Sequence, residues 1–250
     1  MKWTTLLLVI LLISPSFAQV NQTDANGKKQ GIWEKVYPGT RVYMYRGQFK
    51  DDKPVGKFSY FYKSSKVKAV ITHSAISDRS EGYYYHETGG LMSYGIYQDQ
   101  KKDSVWVNWN MNGKLSSKES FLKDSLHGIK VVYYIPKEGD RSQRPSAVIR
   151  YGNGMLHGEY QEYFESGRIK VNGKYENHKK IGEWITYHPD GKKMMFVRYK
   201  KGVKHGWCYA YDTKGKESGK KYYYYGSLLE GKRLKEKMSQ LKELGVSPNE

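Results

Sequence analysis

Apolar and aromatic residues in this chain alternate with polar ones in short stretches, each cut by Gly, Asn, Asp or Lys, and the pattern repeats. The segments beginning at Gly158, Gly182 and Gly206 read GEYQEYFESG, GEWITYHPDG and GWCYAYDTKG. With the first Gly as offset zero, an aromatic stands at offset five (Tyr163, Tyr187, Tyr211) and a Gly at offset nine (Gly167, Gly191, Gly215). A second aromatic stands at offset seventeen: Tyr175, Tyr199 and Tyr223. The register extends backwards to starts at 31, 56, 80, 104, 128, 158, 182 and 206, separated by 25, 24, 24, 24, 30, 24 and 24 residues. The period is therefore 24, with one long insertion in the fifth copy.

Alternation of this kind, punctuated by Glu-Thr-Gly, Met-Asn-Gly, Glu-Ser-Gly or Pro-Asp-Gly, predicts a β-hairpin per copy. The Gly at offset nine suits the positive φ of a tight turn. Eight hairpins in sequence predict an all-β fold, an elongated antiparallel β-hairpin repeat array in which each copy covers its neighbour. Offset two is usually aromatic (Trp33, Phe58, Trp106, Tyr160, Trp184) but has the opposite parity to offset five, so both sheet faces carry rings unless a bulge intervenes. Cys208 occupies offset two of the last copy and reads as a small apolar substitute, buried and inert. Copy two is the most degenerate, with Ser65 in place of the turn Gly and His73 in place of the second aromatic.

The ends depart from the repeat. Met1 and Lys2 precede an apolar run from Leu6 to Ile13, then Ser16 and Ala18 at small-residue positions; this predicts a signal peptide over 1–18, cleaved after Ala18. Residues 19–26 read as a linker, 27–226 as the repeat domain, and 227–250 as a helix and tail. Within the last segment, Leu234, Met238 and Leu241 have helical spacing, predicting an amphipathic capping helix over Leu228 to Leu244. Export with a single cysteine leaves no intramolecular disulfide, so repetition must supply the stability that small exported domains draw from crosslinks.

Without Lys2 the predicted mature chain carries 42 Lys and Arg against 25 Asp and Glu. A surface this basic and aromatic suits anionic lipid or glycan. Nucleic acid is not an expected partner of an exported chain. Lys50, Lys53, Lys123, Lys179, Lys180, Lys200, Lys201 and Lys204 fall in the turn after offset seventeen, which predicts a basic edge. The offset-five row, Tyr85, Trp109, Tyr133, Tyr163, Tyr187 and Tyr211, is the candidate binding surface, because flat amphipathic rings on a rigid sheet can stack a partner. His127, His157 and His205 each precede an offset-zero residue; at about 10 Å between copies they are too far apart to share a metal ion. Glu81, Glu159 and Glu183 recur singly at offset one, unlike the facing pair a glycosidase needs. No catalytic, cofactor-binding or metal-ligating set is expected. The insertion within Pro136 to Ala147 is predicted to be the one long irregular loop.

The unit G-x-W/Y-x-x-Y, a turn Gly, then Y-x-N/D, clearest from His157 to Gly206, resembles the MORN repeat, in its bacterial YwqK-family variant described as antitoxin components. The resemblance covers about residues 27 to 226. It implies a non-enzymatic interaction module, with protein partners for some members and lipid for others, and it brings no catalytic residues. An antitoxin role fits poorly with a signal peptide. The expectation is an exported monomeric scaffold, in the periplasm or at the cell envelope, that binds a protein; the alternatives are a cationic, aromatic binder of envelope lipid or glycan and, behind it, a hydrolase.

Overall fold

The computed structural model describes residues 19–140 and 142–249, so the predicted signal segment and its cleavage site lie outside the described residues. The described residues form one open antiparallel sheet of nineteen strands and a single helix. The strands are β1 Gln22–Thr23, β2 Lys29–Val36, β3 Tyr43–Lys50, β4 Lys53–Phe61, β5 Val67–His73, β6 Arg79–Tyr85, β7 Leu91–Gln98, β8 Lys101–Trp109, β9 Leu115–Leu122 and β10 Ser125–Tyr133. They continue as β11 Pro145–Gly152, β12 Met155–Tyr163, β13 Ile169–Glu176, β14 Lys179–Tyr187, β15 Lys193–Lys200, β16 Val203–Lys204, β17 Gly206–Tyr211, β18 Glu217–Tyr224 and β19 Ser227–Leu229. Each strand pairs with its chain neighbours, β16 and β17 both lying along β15. The predicted hairpin array is therefore the observed architecture.

Two kinds of turn alternate along the two long edges. On one edge, two-residue turns such as Asp51–Asp52, Asn177–His178 and Lys201–Gly202 have positive φ at both positions, the backbone of a type I′ hairpin. Each such turn hydrogen-bonds to the strand that leaves the preceding one: Gly202 N–H donates to Lys180 O (3.0 Å) and Gly226 N–H to Lys204 O (2.8 Å). On the other edge, four-residue turns place the offset-nine residue at positive φ, as expected: Gly113, Gly167, Gly191, Gly215, and also Ser65. There, offset-six side chains reach the next copy, with Tyr37, Tyr62 and Tyr134 hydroxyls donating to the carbonyls of Phe61, Tyr85 and Tyr163.

The parity question resolves without reversal. The pairing slips just before offset five in every copy, but the extra residue lies on the following strand, as Lys68 does between Val67 and Ala69. Offsets two and five therefore face opposite sides. On the first side the rings pack on one another: Trp106 against Tyr97 and Phe121, Trp184 against Tyr160, Tyr175 and Tyr199. Each ring lies on the preceding copy's strand, and a Cβ on Gly47, Gly95 or Gly173 would collide with Phe58, Trp106 or Trp184. Indole N–H groups lock the arrangement, Trp106 Nε1 donating to Ile96 O (3.1 Å) and Trp184 Nε1 to Lys174 O (3.2 Å).

Two sequence boundaries shift, and one connection is new. The helix, α1, spans Gly231–Glu243 rather than 228–244, because Ser227–Leu229 pairs as β19. Pro145 to Ala147 belong to β11, so the insertion is shorter than Pro136 to Ala147. A second irregular connection exists at residues 74–78, in the degenerate copy two. Here β5 and β6 pair without a slip, and Ser80 at offset zero needs no positive φ.

Candidate functional site

The offset-five row occupies the second face, at the strand ends beside the four-residue turns. Tyr85, Trp109, Tyr133, Tyr163, Tyr187 and Tyr211 are all half-buried, one per hairpin. They do not stack on each other: Tyr211 meets Tyr209 (6.5 Å between centroids), and the Tyr163 hydroxyl donates to Gln161 Oε1 (2.6 Å). Copies are spaced by two strands, about 10 Å, so the rings form a ruled row with room between them. Trp109 also lines a cavity of about 230 Å³ with Leu115, Tyr134 and Pro136 beneath the insertion.

The predicted lysine edge is less uniform than the sequence suggests. Asp51, Asp52, Asp99 and Asp124 occupy the same turns, so the lysines whose turns carry no Asp concentrate over β13 to β16. Lys180 and Lys204 do not project freely. Lys180 Nζ lies 4.0 Å from the Trp184 centroid and 5.3 Å from that of Tyr199, and Lys204 lies 4.9 Å from Tyr223. Lys29 and Lys102 repeat the arrangement over Trp33 and Trp106. All four stand two residues before offset zero, and their ammonium groups cap the aromatic stack. Lys200 packs toward Tyr225 (5.7 Å), whereas Lys123, Lys179 and Lys201 are exposed.

The histidines act in the turns. His127 and His205 accept, through Nδ1, backbone N–H bonds from Asn153 (3.3 Å) and Tyr225 (3.2 Å) of the next turn; no such bond marks His157. Burial, with Lys200 and Lys237 nearby, lowers the pKa of His205 below the usual histidine value. Burial likewise raises the Cys208 thiol, in keeping with a packing role. Among the described residues, no three His, Cys, Asp or Glu side chains converge as a metal site would require.

One constellation escaped the sequence reading. On the ring-packed face of copies four and five the stack is interrupted: offset fifteen carries Glu119 where Gly95 and Gly173 stand elsewhere, and offset two carries Lys130 where Trp106 and Trp184 stand. The two make an ion pair (2.8 Å). A polar chain leads to it, with Ser93 Oγ donating to Asn108 Oδ1 (2.7 Å), Asn108 Nδ2 to Ser117 Oγ (2.9 Å) and Ser117 Oγ to Glu119 (3.4 Å). Ser93 and Ser117 are buried, so the chain satisfies groups that would be costly unpaired. The signal was a charged residue at both members of a contacting offset pair; reading offsets singly hid it. A cavity of about 520 Å³ at the type I′ edge, lined by Lys53, Val55, His73, Ile76, Asp78 and Asp99, arises where the 74–78 connection replaces a two-residue turn.

Fold and surfaces together define an open, single-sheet β-hairpin repeat protein with rows of aromatic side chains on both faces. No protein-family model matches the chain, and a search of curated proteins found no match.

Proposed function

We propose that this chain is an exported, non-enzymatic, MORN-like scaffold that binds a protein partner at the cell envelope through the second face of its sheet. The carrying observation is the offset-five row: six half-exposed rings, one per hairpin, on the face that α1 covers at the last copy alone. Rings held by a rigid sheet lose little conformational entropy on binding, which favours their use as contact anchors. Affinity capture from envelope extract with the mature chain tests this. Tyr163→Ala together with Tyr187→Ala should abolish recovery of a salt-resistant partner while leaving the fold intact by circular dichroism.

A second reading, binding of anionic lipid or glycan, draws support from exposed Lys179 and Lys201. If the scaffold reading holds, such binding is only electrostatic and should vanish near physiological salt, where charges are screened over about 8 Å. Retention of anionic vesicles or glycan at high salt, with no protein recovered, would make this second reading the better one.

A further inference from the structure

The helix α1 is a specimen of what the second face accepts. Its Leu234, Met238 and Leu241 pack on Trp207, Tyr222, Tyr224 and Leu229 of the last copy. Trp207 stands at offset one, Tyr222 at sixteen and Tyr224 at eighteen. In copies three, six and seven offset one is Glu81, Glu159 and Glu183, which offers an apolar helix nothing. In copies four and five the equivalent positions are Val105 and Ile129 at offset one and Leu122 at offset eighteen, exposed at 48%, 41% and 45%. The neighbouring row of the same face adds Val107, Val131 and Val148: Lys118 sits opposite both Val107 and Val131, and Val131 opposite Val148. Among the described residues nothing covers this aliphatic patch, whereas α1 covers its counterpart in copy eight.

The charges around the patch select the occupant. Lys118 lies within it and Arg150 sits opposite Ile129; both are exposed, and neither makes an ion pair among the described residues. We infer that copies four and five dock an amphipathic α-helix of a partner protein, with a Leu/Met stripe flanked by Asp and Glu. The inference rests on the scaffold reading and adds a second contact surface on the same face. A second copy's α1 does not fit, because Lys232, Arg233, Lys235, Lys237 and Lys242 outnumber Glu236 and Glu243, so it would meet Lys118 and Arg150 with like charge.

The test titrates the mature full-length chain, by fluorescence anisotropy, with three synthetic peptides. One is an acidic amphipathic helix with Leu and Met at the 234, 238, 241 spacing, one is its scramble, and one has the Gly231–Glu243 sequence. The acidic helix should bind at least about tenfold more tightly than the other two, a difference of about 1.4 kcal/mol. Val105→Asp with Ile129→Asp should remove that binding. Should the Asp variant fail to fold, Lys118→Glu with Arg150→Glu decides alone: at exposed positions, it should reverse the preference toward the Gly231–Glu243 peptide. The proposal is overturned if the acidic helix binds no better than its scramble, if the Gly231–Glu243 peptide binds best to the unaltered chain, or if charge reversal leaves the preference in place. Loss of the envelope partner on changing Tyr163 and Tyr187, combined with failure of the acidic helix, would leave the scaffold reading standing and this site refuted.

Discussion

Glycine serves two unrelated purposes in this chain, and substitutions separate them. At Gly95 the requirement is space: Trp106, 2% exposed, lies where a Cβ would be. Gly95→Ala should therefore force the indole out of its bed and lower stability by about 2 kcal/mol, as overpacking does, measurable by urea denaturation. At offsets zero and nine the requirement is backbone conformation, since a Cβ at Gly56 or Gly113 would meet nothing within 4 Å. Two copies meet it without glycine, Ser65 at φ 65° and Ser104 at φ 59°. An L-residue in this region costs roughly 1–2 kcal/mol, partly offset by the extra chain entropy glycine loses on folding. Ser65→Gly and Ser104→Gly should each raise stability by about 0.5 kcal/mol, and an unchanged or lowered denaturation midpoint would contradict this account. The contacting pair of offset fifteen with the next copy's offset two is also matched in size. Gly95 faces Trp106, Ile71 faces Gly82, and Val197 precedes Cys208, so bulk lost on one strand is supplied by the other.

Each hairpin is joined to the next by side chains as well as by the sheet, and His205 carries one such joint. Its neutral Nδ1 accepts the Tyr225 N–H, and burial holds its pKa below the ordinary 6.5. Between the lowered folded value and 6.5 the unfolded chain binds more protons than the folded one, so stability rises with pH across that window. The contribution is complete above 6.5 and is lost as pH falls through the folded pKa. His205→Asn keeps an acceptor near the Nδ1 position and removes the titration. Urea midpoints between pH 7 and pH 5 should fall less steeply in that variant, and identical slopes would exclude this joint as a source of acid sensitivity. At this scale the hairpins, their period and the offset-nine turns were legible, because period-two alternation and Gly at fixed intervals are local signals. The cation–π lysines were not: Lys102 and Lys180 look like any other turn lysine until the strand geometry brings them over Trp106 and Trp184. The Glu119–Lys130 pair was hidden for the same reason, since eleven residues of chain separate its members and only the pairing of β9 with β10 joins them.

Because strands touch only their neighbours, the molecule is extended along the stacking direction, and local changes need not propagate. About eighteen strand positions at about 4.8 Å give a length of roughly 85 Å before twist and curvature shorten it. A compact monomer of this size would have a radius of gyration of about 17 Å; small-angle scattering should return a clearly larger value, and a result near 17 Å would contradict the open array. The same independence governs the insertion in copy five. At its base Tyr134 N–H donates to Arg144 O (3.0 Å), as His188 N–H donates to Lys192 O (2.8 Å) across an ordinary four-residue turn. The two ends of the loop are therefore already placed as a standard turn would place them, and the pairing of Tyr133 with Pro145 begins immediately outside. The contacts that tie this region to the next copy, Tyr134 Oη to Tyr163 O (2.6 Å) and Arg144 Nη1 to Glu165 O (3.1 Å), also come from residues flanking the excess. Replacing residues 135–143 with Pro-Asp-Gly, the sequence between His188 and Lys192, should thus preserve strand register and both contacts. Thermal stability should change by no more than about 0.5 kcal/mol, because loop length alone enters closure entropy only logarithmically. A large loss would mean that the loop packs into the array as part of its core, whereas retained stability with loss of a bound partner would assign the insertion to recognition.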